Sequence, residues 1–416
     1  MGSSAISKYA LALCFAAAGA APALAEATTL KVLYSNAYVN KESIEELVQQ
    51  FEARNTGVDI KLDVVKNYTE MTQLMLRASM TGDVPDVGFQ GLSFVRLFAE
   101  RGLAVPLQPF IAKENDWQQR GYSQSVMGMA KKGDETFGIP YQVSVPIVYF
   151  NLDLVRRAGG NPHSLPTTWQ GITDLAKKID APSGGIFFDY TPTANWTFIA
   201  LVQSLGGQMM TPDEKQVAFN GAEGLEAFKI LKDIGHSGMR DMTRDQAKQA
   251  FAAGSLGVFV TSSSDITLYT KQAAGQFEIR VAPFPSKQPG GVLPAGGNAL
   301  MIHTKDPEKQ KVAWDFIKFF TGADAQTLMA KSTAYIPVNT LAISDPARLG
   351  DYYKGEPNLK VAVSQLPIMT SWFSFPGENS LKITPVIEDA MRKVLFQQAE
   401  PQDALEQIAK AVQGLM

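Results

Sequence analysis

Strand-like and helix-like segments alternate along almost the whole sequence, and this alternation restricts the fold more than any other feature. Residues 30–34 form an apolar run that is typical of a buried strand. An amphipathic helix follows, with apolar side chains at Ile44, Leu47, Val48 and Phe51. Residues 58–64 then alternate apolar and charged side chains, as a half-buried strand does. Repetition of this unit predicts an α/β fold with doubly wound, mostly parallel sheets.

The chain is also too long for one core. It has 416 residues, and a single hydrophobic core stops growing at roughly 250 to 300 residues. Two segments rich in proline, residues 138–150 and 280–291, are suited to passages between sheets. We therefore predict two lobes joined by hinge crossings, with a ligand cleft between them. Lobe 1 is predicted at residues 26–140 and 284–335, and lobe 2 at residues 141–283 and 336–416.

The first 25 residues have the pattern of a secretory signal peptide. Lys8 precedes an apolar stretch at residues 9–18, and Ala23 and Ala25 form an Ala-x-Ala cleavage site. We expect residues 1–25 to be removed and the mature protein to reside in the periplasm. Lipid attachment at Cys14 is the alternative, and Leu13 argues against it because a small residue usually precedes a lipidated cysteine.

Composition excludes several classes of partner and chemistry. Once Lys8 is removed, 37 basic residues face 41 acidic ones, so neither nucleic acid nor an anionic membrane surface is an expected partner. Cys14 is the only cysteine, so the mature chain has no thiol for a disulfide, a metal or a nucleophile. No metal or cofactor is expected, and we expect a monomer.

Six short motifs, in this order along the chain, resemble one family. They are NLDLVRRAG at 151–159, PTTW at 166–169, AFAAG at 250–254 leading to GVFV at 257–260, PAGG at 294–297, AWDFIKF at 313–319, and AYIP at 334–337. The resemblance is to the carbohydrate-type (family 1) extracellular solute-binding proteins of ABC importers, the group of the maltose-binding and glycerol-3-phosphate-binding proteins. It implies a periplasmic-binding-protein-like fold with three crossings, a ligand clamped between the lobes, and permease subunits in the inner membrane as partners.

A hydroxyl-rich solute, such as a sugar, polyol or glycerol-phosphate-type compound, is bound by aromatic faces and by polar groups on loops beside the cleft. The first-lobe candidates lie after strands or in the first crossing, and the resemblance implies ligand contacts for Tyr68 and Ser144 in particular. For these two, packing of the tyrosine and backbone hydrogen bonding of the serine are the alternatives. The candidates are Asn36, Tyr38, Tyr68, Gln90, Ser93 and Ser144.

Further candidates lie in later segments. Trp196 stands at a helix start, where it either stacks on a ligand or packs in the core. Ser263 and Asp265, in the run 262–265, stand at a helix N-terminus, which favours acceptor or anionic ligand groups, although simple capping is the alternative. The remaining candidates are two glycines that permit close backbone approach, a tyrosine that the resemblance implies, and an aromatic-rich loop with its neighbours: Gly296, Gly297, Tyr335, Trp372, Asn379 and Lys382.

One departure from the family pattern concerns phosphate. Glycerol-3-phosphate binders place an arginine in the C-terminal segment, and Thr384 stands at that position here, with Lys382 as the nearest cation. Neither residue replaces a bidentate guanidinium. A neutral sugar or polyol, or an anion held differently, is therefore favoured over a phosphate held in the family's manner.

Two other functions are the alternatives. An exported hydrolase is disfavoured because the chain has no Gly-x-Ser-x-Gly, His-Glu-x-x-His or P-loop motif, and His163, His236 and His303 are far apart in sequence. A ferric-ion binder of the same superfamily would use adjacent tyrosines, which occur at Tyr352 and Tyr353 in a polar segment. A non-enzymatic binding protein remains the prediction.

Overall fold

The structure, a computed structural model, describes Met1 and residues 27–190, 194–377 and 379–416. The predicted signal peptide lies outside the described residues apart from Met1. No helix in the described part of the chain is both long and apolar enough to span a membrane.

The strands differ widely in length, and the long ones carry the two main sheets. They are β1 (Thr28–Ser35), β2 (Val58–Val65), β3 (Val87–Gly91), β4 (Lys131–Lys132), β5 (Glu135–Thr136), β6 (Ile139–Ser144), β7 (Pro146–Asn151), β8 (Ile186–Phe188), β9 (Val258–Ser262), β10 (Ile279–Pro283), β11 (Leu293–Pro294), β12 (Gly296–Ile302), β13 (Ile336–Pro337) and β14 (Met369–Thr370).

Helices fill most of the chain between these strands. They are α1 (Lys41–Arg54), α2 (Tyr68–Thr81), α3 (Val95–Glu100), α4 (Gln108–Ile111), α5 (Gln124–Gly128), α6 (Leu152–Arg157), α7 (Trp169–Ala176), α8 (Ala194–Ser204), α9 (Ala222–Gly235), α10 (Arg244–Ala252), α11 (Ile266–Ala273), α12 (Pro307–Phe320), α13 (Ala323–Ser332), α14 (Thr340–Ser344), α15 (Asp351–Gly355), α16 (Pro357–Ser364), α17 (Ser380–Leu395) and α18 (Pro401–Gln413).

The larger sheet has six strands in the order β13-β6-β12-β3-β1-β2. Strand β1 is parallel to β2 and β3, whereas β12 is antiparallel to β3 and β6, and β13 is antiparallel to β6. Helices α1, α2 and α12 pack on this sheet, and α13 packs on α1. We call this sheet and the helices on it the first lobe.

The smaller main sheet has the order β10-β7-β9-β8, with β7 antiparallel to both of its neighbours and β8 parallel to β9. Helices α9, α11 and α16 contact its strands, and α8, α17 and α18 pack on α9. These elements form the second lobe. Antiparallel pairs outnumber parallel ones in the two sheets, so the expectation of mostly parallel sheets is wrong, because hydrophobic periodicity does not report strand direction.

The chain passes between the sheets at the proline-rich segments. Strands β6 and β7 belong to different sheets and are separated only by Val145, so the first sheet ends at Ser144, slightly beyond the predicted boundary at residue 140. The return runs from β10 to β12 through β11, which pairs with β14 in a small separate sheet. A third passage follows β13, the last strand of the first sheet. The assignment of whole segments to lobes stays a prediction.

Local sequence signals set the helix ends that border the cleft. Asn67 accepts a hydrogen bond from the Glu70 N–H group at the start of α2, and Gly82 ends this helix with a φ of 79°. Thr243 and Gln246 form a reciprocal capping box at the start of α10. These caps place the first turns of both helices beside the space between the lobes.

Candidate ligand-binding site

A cavity of about 600 Å³ lies between the lobes and is lined by side chains from both of them. Its volume is within the range of roughly 300 to 1,000 Å³ that is usual for small-molecule sites. The structure brings nine of the predicted residues together around it: Tyr38, Tyr68, Ser93, Ser144, Trp196, Gly296, Gly297, Tyr335 and Trp372.

Two stacked tyrosines form the aromatic part of the first-lobe wall. The Tyr38 and Tyr68 rings lie 4.1 Å apart between centroids, with an interplanar angle of 15°. Tyr68 packs directly on Gly91, where a Cβ atom would lie 2.9 Å from the ring, and its hydroxyl accepts a hydrogen bond of 3.0 Å from Asn298. Burial raises the pKa of Tyr68 well above its usual value, so the phenol stays neutral and its own proton remains available to an acceptor.

Two tryptophans form the aromatic part of the second-lobe wall. The Trp196 and Trp372 rings lie 5.6 Å apart at an interplanar angle of 31°. The Trp196 indole N–H donates to the carbonyl of Pro294 at 3.0 Å, which fixes the ring. The Trp372 Nε1 atom is buried and has no acceptor among the described residues. Trp372 therefore lines the cavity, and its indole N–H is held by no acceptor in the described part of the chain.

The paired glycines have a structural reason for being glycine. A Cβ atom on Gly296 would lie 2.7 Å from Ser144 Oγ and 3.1 Å from Trp196. Gly297 has a φ of 108°, and its Cβ atom would lie 2.1 Å from the carbonyl oxygen of Gln142. We predicted close approach to a ligand here, and the structure adds that the glycines admit Trp196 and the neighbouring strand β6.

Arg244 lines the same cavity and was not among the predicted residues. It is the first residue of α10, and its Nε atom lies 2.9 Å from Oδ2 of the fully buried Asp189. Thr261 also donates to this oxygen, at 2.8 Å. The Asp189 carboxylate raises the pKa of Arg244, which therefore stays charged.

A second cavity of about 410 Å³ adjoins the first, and Tyr38, Arg244, Ser264 and Tyr335 line both. The predicted residues Asn36 and Asp265 line the second cavity and not the first. Burial raises the pKa of the Tyr335 phenol, and Asp265 raises it further, so this shared wall presents neutral hydroxyls beside one guanidinium.

Comparison with known proteins assigns the family. A family model described as bacterial extracellular solute-binding protein matches residues 46–358. The chain belongs to this family. The predicted resemblance and the predicted function, solute binding for an ABC transporter, are thereby confirmed.

The individual relatives are similar to this chain at low sequence identity. The sn-glycerol-3-phosphate-binding periplasmic protein UgpB of Rhizobium meliloti is 24% identical, with 93% of each chain covered. UgpB from Mycobacterium tuberculosis, solved in complex with glycerophosphocholine, has a TM-score of 0.80 at 22% identity, covering 92% of this chain and 97% of that one. The cyclic alpha-maltosyl-1,6-maltose binding protein from Arthrobacter globiformis has a TM-score of 0.79 at 21% identity, covering 94% and 99%. These structures share the fold of this family member.

Four predicted residues line neither cavity. Gln90 points into the first lobe, where its Nε2 atom lies 3.3 Å from His303 Nε2, and burial lowers the pKa of His303 to about 4. Ser263 accepts a hydrogen bond of 3.1 Å from the Val145 N–H group and so braces the first crossing. Asn379 and Lys382 bond to each other at 2.9 Å near the start of α17. These four residues lie outside both cavities in this structure, so their role as ligand contacts stays a prediction, whereas Thr384 does line the first cavity.

The tyrosine pair behind the ferric-ion alternative lies elsewhere. Tyr352 and Tyr353 line neither interlobe cavity, and Tyr353 is buried. No group of three or more His, Cys, Asp or Glu side chains suited to a metal occurs among the described residues. The adjacent tyrosines that suggested ferric-ion binding therefore do not lie at the cleft.

Most of the cavity residues that were not predicted stand in helix first turns or between elements, where the residue type has an ordinary structural explanation. One sequence signal could have identified Arg244. The capping-box residues Thr243 and Gln246 mark the start of a helix, and a helix start is also the position that made Trp196 a candidate. The missed residues include Asn67, Gln73, Phe94, Arg96, Asn195, Arg244, Ser374 and Leu381.

Polar contacts join the lobes at one edge of the first cavity. The Arg96 guanidinium of the first lobe donates through both terminal nitrogens to the Glu214 carboxylate, at 2.7 and 2.6 Å. Glu100, on the same helix as Arg96, binds its Nε–H at 2.8 Å. Ser374 donates to the carbonyl of Ser93 nearby. We call these contacts the interlobe latch.

Proposed function

We propose that the protein captures a hydroxyl-rich solute, namely a sugar, a polyol or a glycerol-phosphate-type compound, in the first cavity. The observation that carries this proposal is the pair of aromatic walls, Tyr38 with Tyr68 on one lobe and Trp196 with Trp372 on the other. Aromatic faces pack on the C–H surface of a sugar, while tyrosine and serine hydroxyls bond its oxygens. The first cavity offers both kinds of group.

The setting is proposed to be the periplasm, after removal of the signal peptide, with delivery to permease subunits of an ABC importer in the inner membrane. Membership of an extracellular solute-binding family supports this location. Delivery without chemical change is also proposed, since the curated relatives are described as binding proteins. Because the ligand would contact both lobes only when they are together, binding would favour the closed arrangement.

The test is a thermal-shift screen of the mature protein against sugars, polyols, glycerol phosphates and glycerophosphodiesters. A ligand at about one hundred times its dissociation constant adds about 2.7 kcal/mol of stability. We expect a clear rise in Tm with one of these classes, and recovery of the ligand unaltered by mass spectrometry. No shift with any of them, combined with a shift from an amino acid or a peptide, would reject the proposed ligand class.

A further inference from the structure

The second cavity differs from the first in charge. Arg244, Lys248 and Lys271 contribute three cations to its lining, against the single carboxylate of Asp265. Lys248 forms an ion pair with Asp265 at 2.8 Å, whereas Lys271 is exposed and has no carboxylate partner within the described ranges. With Asp189, whose carboxylate lies 2.9 Å behind Arg244, three cations face two carboxylates, so one positive charge remains in excess and favours an anionic group.

Arg244 lies where the two cavities meet, and Asp189 holds its guanidinium in position. Its carboxylate partner, Asp189, sits behind it and contacts only one edge of the guanidinium, since Oδ1 of Asp189 has no hydrogen-bond partner in the described part of the chain. The closest approach is from Arg244 Nε to Asp189 Oδ2, at 2.9 Å, and the two terminal nitrogens of Arg244 donate no hydrogen bond within the described ranges. A guanidinium has five N–H donors in a rigid fork, so most of them remain for another partner.

A purely structural ion pair explains these facts less well. A buried pair of that kind is stabilising only when its geometry is good and the remaining donors and acceptors are satisfied. Here Asp189 Oδ1 is buried with no hydrogen-bond partner among the described residues, and Arg244 lines both cavities. An arginine held in this way is suited to a planar or tetrahedral oxyanion, which accepts two hydrogen bonds from the fork.

We propose that the second cavity is a subsite for an anionic end group of the ligand, a phosphate ester or a carboxylate. Arg244 binds it, with Lys248 and Lys271 adding positive charge, while the hydroxyl-rich part occupies the first cavity. This inference rests on the proposed function. It accounts for the Thr384 position, because the cation for an anionic group is supplied from α10 and not from the C-terminal segment.

The test is isothermal titration calorimetry of the mature protein with matched neutral and anionic probes. The pairs are glycerol with glycerol 3-phosphate, glucose with glucose 1-phosphate, and glucose with glucuronate. We expect the anionic member of at least one pair to bind at least tenfold more tightly at low ionic strength. This advantage should shrink in 0.5 M NaCl, where the Debye length is shorter than the roughly 8 Å of physiological ionic strength. Whether the phosphate or the carboxylate pair responds identifies the oxyanion.

Variants then locate the anion. Arg244→Gln is expected to reduce the affinity for the anionic probe at least tenfold, with a smaller effect on its neutral partner, and Lys271→Gln about twofold to threefold. Lys229→Gln, an exposed cation on α9 that lines neither cavity, is the control. If Arg244→Gln unfolds because Asp189 loses its partner, the double variant Asp189→Asn with Arg244→Gln removes both charges, and circular dichroism checks its fold.

The outcomes separate the two proposals. Equal binding of the neutral and anionic members overturns the subsite and leaves the proposed function standing. Unchanged binding of the anion by a folded Arg244 variant also overturns the subsite. Failure of every probe in all three pairs, together with no response in the wider screen, rejects the proposed function, and the subsite is rejected with it.

Discussion

The two walls of the first cavity are built in different ways. On the first lobe, Tyr68 packs on Gly91 and the strand β12 enters the site through Gly296 and Gly297, so the backbone sets the shape. On the second lobe, Trp196 and Trp372 reach the cavity from a helix start and from a loop. The first wall therefore tolerates few changes without loss of fold. On the second wall Trp196 is buried, whereas Trp372 is only partly buried and can change with less effect on the fold.

The largest expected effect on binding comes from the second wall. Trp372→Ala removes a partly buried ring and an unpaired indole donor, so we expect ligand affinity to fall roughly thirtyfold to one hundredfold, or about 2 to 3 kcal/mol. Calorimetry with the ligand found in the screen measures this. Trp117→Ala, a partly buried tryptophan that packs on Trp314 away from both cavities, is the matched control and should bind normally. Similar losses in both variants would contradict the assignment.

The first wall should respond through stability. In Gly297→Ala the new Cβ atom would meet the Gln142 carbonyl at 2.1 Å, on a residue with a φ of 108°. We expect a loss of about 2 kcal/mol in the free energy of unfolding, measured by urea denaturation. Gly275→Ala is the control, since its φ is also positive, at 78°, but nothing lies within 4 Å of the added atom. An equal loss in the two variants would show that backbone conformation alone, and not the contact with β6, requires glycine.

The same contrast explains what the sequence could predict. The amphipathic helix predicted from Ile44, Leu47, Val48 and Phe51 is present as α1, and the proline-rich segment 138–150 contains the passage from β6 to β7. Strand direction was not predictable, because an apolar run reads the same in either direction. Nor was the side on which a strand-end residue lies: Gln90 points into the core toward His303, whereas Ser93 reaches the cavity. Residues joined only by the fold, such as Asp189 and Arg244, leave no pattern in sequence.

The interlobe latch connects the two walls. Breaking it should lower ligand affinity less than the loss of Trp372 does. Glu214→Gln removes the charge that Arg96 binds across the cleft and alters no residue that lines the first cavity. Since this is a bidentate pair in a partly exposed position, we expect about 1 kcal/mol, or roughly fivefold weaker ligand binding, with faster release in stopped-flow fluorescence. Glu278→Gln is the control, because Glu278 pairs with Arg156 at 2.7 Å away from both cavities. An equal loss in the control would show that removal of any paired carboxylate, and not the link between lobes, lowers affinity.

The smallest expected effect is the dependence of ligand affinity on pH through the contact between Arg96 and Glu214. The hydrogen bond from Arg96 lowers the pKa of Glu214 below its usual value of 4.5 when the lobes are together. An open state without Arg96 would restore the usual value, so the contribution of Glu214 to closure is complete above that value and is lost as pH falls through the lowered pKa. We expect affinity in the parent protein to decline below about pH 4.5 relative to Glu214→Gln, because the variant has no carboxyl group there to titrate. Parallel profiles of affinity against pH for the two proteins would mean that the Glu214 charge does not link the two lobes. The lobes would then be held together by the ligand and by uncharged contacts, such as the hydrogen bond from Ser374 to Ser93.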